Sequence, residues 1–156
     1  MTSKAFNLAK TIRNRTFSNS PAIDFKKVSK AINVSIIECG IHHLYPKDTL
    51  GFIAKPLTFK KGISVSNTLS KEYKNVVSAA LLSHYLMDTK ETDGFALRRQ
   101  DLDILFNSTF MTNHREFIFE LLTPRDLLTA LINRQEKSDA IAHLFEVPAW
   151  LIKLQT

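Results

Sequence analysis

Apolar residues recur along this chain with two different periods. Residues 3–15 carry apolar side chains at helical spacing, and residues 23–32 repeat that spacing over a shorter length. Three short segments, 34–38, 50–54 and 62–66, are instead rich in β-forming residues and lie between turn residues. We therefore expect two helices followed by a small three-stranded sheet.

From Ser70 onward the pattern is helical throughout. Ser70 is a suitable N-cap for a helix over 70–88, whose stripe includes Val77, Ala80 and Leu81. We expect this helix to be the buried centre of the fold, packed on the sheet and on a helix over 113–123. Four further helices are predicted over 96–106, 124–132, 138–145 and 148–154. The order of elements predicts an α+β fold, a mostly helical single domain with a small three-stranded sheet.

Length and composition are consistent with one domain over residues 1–156. The single cysteine, Cys39, cannot form an internal disulfide, which favours a reducing compartment. No apolar run approaches the roughly 20 residues that a membrane span needs, and the first residues lack the apolar core of a secretory signal. We expect a cytoplasmic protein without membrane contact.

Positive charge is concentrated at the N-terminal end. The formal net charge is +6, and residues 1–30 hold seven basic residues against one acid, so this segment contributes the whole excess. The seven basic residues are Lys4, Lys10, Arg13, Arg15, Lys26, Lys27 and Lys30. Such a segment is either a solvated helix face or a surface that attracts an acidic protein or a nucleic acid.

His84 and Asp88 end the apolar stripe of the central helix. Residues at i and i+4 point the same way on a helix. The two side chains are therefore able to coordinate one metal ion or to form a hydrogen bond with each other. Two ligands rarely suffice for zinc, which usually takes three or four protein ligands.

Four segments carry a resemblance to a known family. An apolar run over 76–83 precedes His84-Tyr85-Leu86-Met87-Asp88, and the stretch over 113–124 has phenylalanine, two leucines and proline at positions 117, 121, 122 and 124. Residues 142–148 and 23–34 add a closing and an opening pattern. In their order and spacing these segments resemble the ImmA/IrrE zinc metallopeptidases, over a span from about Pro21 to the end of the chain. The resemblance implies a zincin-like active helix, a family-like core over 21–156, and a basic N-terminal helix and loop over 1–20.

The same resemblance implies that the catalytic groups are missing. Tyr85 stands where the H-E-x-x-H motif has its general base, Asp88 replaces the second histidine, and Asn113 aligns with the acidic third ligand. A tyrosine phenol is a poor base at neutral pH, and an asparagine is a weak zinc ligand. His114 is adjacent, but neighbouring helical residues point about 100° apart, so we do not expect it to substitute.

This arrangement predicts a pseudo-peptidase with no catalytic residues and no zinc cofactor. The vestigial pocket would comprise His84, Tyr85, Asp88 and Asn113, with His84 and Asp88 as the remaining candidates for any residual metal. The resemblance to regulators of phages, prophages and mobile elements implies that the partner is a helix-turn-helix repressor. We expect the chain to antagonise that repressor, and so to regulate transcription, by occupancy rather than by cleavage.

Two alternatives stay open. Residues 138–154 resemble a helix-turn-helix, which would make the chain a DNA-binding regulator, although only Lys153 and Gln155 offer polar groups for base recognition. The other alternative is an active zinc endopeptidase with a rearranged site. It would use His84, Asp88 and one further histidine: His42, His43 or His114. We expect Cys39 to be a small buried residue rather than a nucleophile.

Overall fold

Two capped helices lead into the sheet. The computed structural model describes residues 2–16, 20–42, 45–54, 61–88 and 92–156. Helix α1 spans Lys4–Arg15 and begins where the Ser3 hydroxyl accepts a backbone N–H. Helix α2 spans Phe25–Ile32 and begins in the same way at Asp24. It ends at Asn33, whose backbone is left-handed with φ of 54°. Both predicted helices are confirmed, with bounds that differ by at most two residues.

Four strands form one mixed sheet in the described part of the chain. Their bounds are β1 Ser35–Cys39, β2 Thr49–Ala54, β3 Gly62–Ser66 and β4 Ala96–Arg98. The strand order is β1-β3-β2-β4; β1 runs parallel to β3, and β2 is antiparallel to both of its neighbours. The three predicted strands are confirmed, but the prediction of a three-stranded sheet is wrong because β4 adds a fourth.

The fourth strand lies where the sequence predicts the start of a helix. Ala96 and Leu97 pair with Phe52 and Gly51 of β2, and the register shifts between Gly51 and Thr49. Three residues are too few to show a strand period, and their pairing partner is more than 40 positions away in the chain. Local pattern therefore predicts one helix over 96–106, whereas the structure has a strand and then a helix.

Six helices follow the third strand within residues 67–88 and 92–156. Their bounds are α3 Lys71–Met87, α4 Arg99–Asn107, α5 Thr112–Leu122, α6 Arg125–Asn133, α7 Ser138–Phe145 and α8 Ala149–Lys153. Ser70 caps α3 as expected, with its hydroxyl 3.3 Å from the Tyr73 nitrogen. Pro124 and Pro148 directly precede α6 and α8, since proline begins a helix without losing a hydrogen bond. None of the described helices is both long enough and apolar enough to cross a bilayer.

Helix α3 is the centre of the core, which confirms the prediction. Every residue from 76 to 84 is buried, and the helix packs on β2, β3 and α5. Gly51 in β2 allows the close approach: a Cβ there would lie 2.6 Å from the Ser64 carbonyl oxygen and 2.7 Å from Leu81 Cδ1. No larger residue fits at position 51 without displacing the strand or the helix. One hydrophobic core thus extends from Ala5 to Ile152.

Candidate functional site

The end of helix α3 carries the first two polar groups of the candidate site. His84 lies in the last turn, and Asp88 is the residue that ends the helix, with its backbone N–H bonded to the His84 carbonyl. The His84 Nδ1 atom is 2.8 Å from Asp88 Oδ2. The predicted i, i+4 pair is therefore formed, in the geometry in which the two side chains satisfy each other.

His114, in the first turn of α5, completes the cluster. Its Nε2 atom is 2.8 Å from Asp88 Oδ1, so one carboxylate binds two imidazoles through its two oxygens. The sequence does not make His114 an obvious third group, but the structure places its side chain within hydrogen-bonding distance of Asp88. The 100° separation holds between neighbours on α5, but it does not say which of the two faces α3. The structure turns His114 inward and leaves Asn113 exposed.

The His-Asp-His cluster, defined as His84, Asp88 and His114, is shielded by aromatic packing. The two imidazole centroids are 4.6 Å apart, and the Phe95 ring lies 4.7 Å from that of His84. Burial lowers the pKa of His84 by disfavouring its charged form, although the hydrogen bond to Asp88 acts in the opposite direction. The lowered pKa favours the neutral imidazole, and the contact with the Asp88 carboxylate, which only accepts, favours the tautomer with its proton on Nδ1.

The donor set of the cluster fits a divalent transition metal. One ligand atom from each residue lies within 4.8 Å of the others. Two imidazole nitrogens and one carboxylate oxygen are typical zinc ligands, and three protein ligands leave a position open. Ligand atoms around zinc are about 3.3 Å apart when bonds are about 2.0 Å long. Binding would therefore bring the most distant ligand atoms closer together, move the hydrogen-bonded pairs slightly apart from 2.8 Å, and replace their hydrogen bonds.

Tyr85 and Asn113 lie outside this cluster. Tyr85 is half-buried, and the Lys61 ammonium sits 5.2 Å from the centre of its ring. Asn113 lines an open groove of about 410 Å³ together with Lys4, Met87 and His114. Of the four residues assigned to a vestigial pocket, His84 and Asp88 are in direct contact, and Asn113 stands at the rim.

The other candidate ligands are placed elsewhere or not described. The His42 Nε2 atom lies 3.0 Å from the Thr68 hydroxyl and 3.3 Å from that of Ser66, which ties it to the turn after β3. His43 lies outside the described residues. Cys39 is half-buried at the end of β1, where its carbonyl accepts from the Asn67 N–H.

The basic residues of the first two helices divide into two groups. Six of the seven are exposed: Lys4, Lys10, Arg15, Lys26, Lys27 and Lys30. Arg13 is different, because its guanidinium donates to the backbone carbonyls of Leu121 and Pro21. Burial lowers the pKa of Arg13 to about 10. Arg13 therefore fastens α1 to the end of α5 and is not a free surface cation.

The C-terminal helix pair offers little for base recognition. Helix α8 has five residues, and two of them, Leu151 and Ile152, are fully buried. Gln155 uses its amide nitrogen on the Thr123 hydroxyl and on the Leu151 carbonyl, at 3.1 and 3.0 Å. Of the two polar groups that the sequence offered for a DNA groove, Lys153 alone is exposed.

A sequence signal for His114 exists in the pattern of α5. The fully buried residues of this helix include Phe117, Ile118, Leu121 and Leu122. His114 precedes them by three, four, seven and eight positions, which is the spacing of one helical face. Asn113 lies at the edge of that face. Periodicity within α5 thus identifies the inward histidine better than alignment to a motif does.

Sequence comparisons with known proteins do not assign this chain to a family. No protein-family profile matches this chain, and no curated protein matches it in sequence.

Proposed function

We propose that this chain is a metallopeptidase-like protein that does not hydrolyse peptide bonds and acts by binding a regulatory protein. From the resemblance in its sequence, the partner is a helix-turn-helix repressor of a phage or another mobile element in a bacterial cytoplasm. The observation that carries the proposal is the side chain at position 85. The end of α3 and the first turn of α5 form the His-Asp-His cluster, and Tyr85 follows His84 at the position where the H-E-x-x-H motif has its carboxylate base.

Hydrolysis at such a site would require more than ligands. The attacking water must lose a proton to a nearby base, and the base must be ionised at neutral pH. A phenol is a poor base at neutral pH, and the ring of Tyr85 packs under the Lys61 ammonium. Asp88 cannot serve as the base while both of its oxygens bind histidines.

The conclusion is the same if the motif is placed one turn earlier. In that register His84 is the second histidine of H-E-x-x-H, and Ala80 and Leu81 stand at the first histidine and the glutamate. Both residues are fully buried and apolar. Neither register therefore supplies a general base, and the second also loses a ligand.

Binding, unlike hydrolysis, needs only a preserved surface. Helix α3 and the sheet form the ordered centre of the fold, and six exposed basic residues lie on α1 and α2. Such charges accelerate the approach of an acidic partner, and their effect weakens as salt screens them. These features support stoichiometric binding as the mode of action.

The test mixes the purified chain with the repressor encoded by a neighbouring gene. We expect a stoichiometric complex in which both chains stay intact over hours, as seen by size-exclusion chromatography with mass spectrometry. Cleavage of the repressor by the unsubstituted chain would contradict the proposal.

Metal binding is the second candidate function, and the position of His114 favours it. The sequence alone leaves two ligands and predicts no zinc, whereas the structure brings a third ligand within 4.8 Å of the others. A metal held by His84, Asp88 and His114 would supply Lewis acidity there. It is compatible with the first proposal because a metal without a base still does not imply hydrolysis.

This candidate predicts zinc-dependent stability. If zinc binds the folded chain and not the unfolded chain, it should raise the free energy of unfolding by about 2.7 kcal/mol when free zinc is 100 times its dissociation constant. The melting temperature should rise by several degrees with one equivalent of zinc. His114→Gln should abolish the rise, and His143→Gln, at an exposed position of α7, should not. Equal zinc responses in the two variants would exclude the cluster as the site.

A further inference from the structure

An aromatic groove opens on the face formed by α4 and α8, next to the start of α3. Its volume is about 520 Å³. Leu102 and Phe106 of α4 form a buried floor, and Tyr73 and Trp150 are the half-buried rings that border it. This volume lies within the range of ligand-binding pockets, about 300–1,000 Å³.

The rings of this aromatic groove are held in place by one another. Phe106 meets Trp150 edge to face, with ring centroids 5.1 Å apart, and Tyr73 lies 6.3 Å from Trp150. On the other side Phe106 packs on Phe119, at 5.9 Å. Because the aromatic walls are already in place, binding of an apolar side chain costs little conformational entropy in the groove.

The charges around the groove are unbalanced. Arg99 stands on the α4 side and Lys153 on the α8 side, and both side chains are exposed. Within the described parts of the chain neither forms an ion pair, and the groove has one acid, Asp103, against these two cations. Acidic side chains of a ligand in the groove would lie near a cation on each of the two walls.

The shape of the groove suits a helix. Arg99, Leu102 and Phe106 are spaced by three and four positions on α4, so they form a ridge along that helix. A second wall comes from Trp150 and Lys153, three positions apart at the end of the chain. A helix laid between two such ridges buries its own i, i+3, i+4 and i+7 side chains in the groove.

We infer that the aromatic groove is the docking site for an amphipathic helix of a protein partner, with acidic residues beside its apolar stripe. The inference rests on the proposed function, since it names the surface by which the partner is bound. It separates that surface from the His-Asp-His cluster. Tyr73 and His84 lie 11 positions apart on α3, which is about 16 Å along the helix.

Trp150 makes the groove directly observable because it is the only tryptophan in the chain. Two synthetic helical peptides of equal length would carry the same leucine stripe, flanked by glutamate in one and by lysine in the other. We expect the glutamate peptide to bind about tenfold more tightly at low salt, with a blue shift of the Trp150 emission. Equal affinities for the two peptides, or binding without a change in emission, would overturn the inference.

Charge reversal gives the matched test. The Arg99→Glu and Lys153→Glu double variant changes two exposed residues and should invert the preference between the peptides. The control reverses Arg134 and Lys137 to glutamate, two exposed cations in the turn between α6 and α7, and should keep the preference of the unsubstituted chain. An unchanged preference in the groove variant would also overturn the inference.

The full repressor separates the two proposals. We expect its complex with the unsubstituted chain to be lost in the Arg99→Glu and Lys153→Glu variant and kept in the control. If the variant binds the repressor as well as the unsubstituted chain does, the groove is not the docking surface and the proposed function stands. If no complex forms with the unsubstituted chain, the proposed function is wrong, and the peptide preference alone decides the groove.

Discussion

Replacing Leu81 with alanine is expected to lower the free energy of unfolding by about 2–5 kcal/mol. Leu81 is fully buried in the middle of α3, where its Cδ1 atom lies against the backbone of β2 at Gly51. The side chain fills space between the helix and the sheet, so its removal leaves a cavity that the paired strand does not readily close.

Urea denaturation of the two proteins measures this loss directly. Leu144→Ala is the matched control, because the same substitution on α7 removes a side chain that is 43% exposed. It should cost well under half as much. A loss below about 0.5 kcal/mol for Leu81→Ala would mean that α3 is peripheral to the core.

Replacing Arg13 with methionine is expected to lower the free energy of unfolding by about 1–3 kcal/mol. Methionine keeps most of the side-chain length but removes the donors that bind the carbonyls of Leu121 and Pro21. The expected loss of stability is smaller than the cost of leaving two carbonyls without hydrogen-bond donors. Burial already disfavours the charged guanidinium, as the lowered pKa of Arg13 shows, and methionine avoids that cost.

Arg15→Met removes the same charge from the same helix at an exposed position and should change stability by less than about 0.5 kcal/mol. Thermal or urea unfolding of the two variants distinguishes the roles. If Arg13→Met and Arg15→Met have equal effects on stability, Arg13 does not fasten α1 to α5. The affinity of the two variants for the repressor would show whether the exposed charge of Arg15 contributes to binding.

The positions of the helices and of three strands could be predicted because their signals are local. Ser70 and the prolines at 124 and 148 mark helix starts by their own chemistry, and the apolar stripe of 70–88 has no other way to be buried. The same stripe, being long and wide, was enough to predict the centre of the core. These features follow from residues close together in the chain.

The site could be predicted only in part. His84 and Asp88 were identified as a pair because an i, i+4 spacing fixes their relation on one helix. The periodicity of α5 indicates that His114 lies on the buried face of that helix. It does not indicate the contact with Asp88, because the two residues are 26 positions apart and no local rule gives the rotation of α5 against α3.

The sequence by itself therefore determined the fold class, most element bounds and the buried helix. Only the tertiary structure decided three further points: the strand β4, the contact of His114 with Asp88, and the internal use of Arg13. Each of these depends on a contact between segments far apart in the chain. Such contacts form because the whole core packs in one way, and no short window of sequence contains both partners.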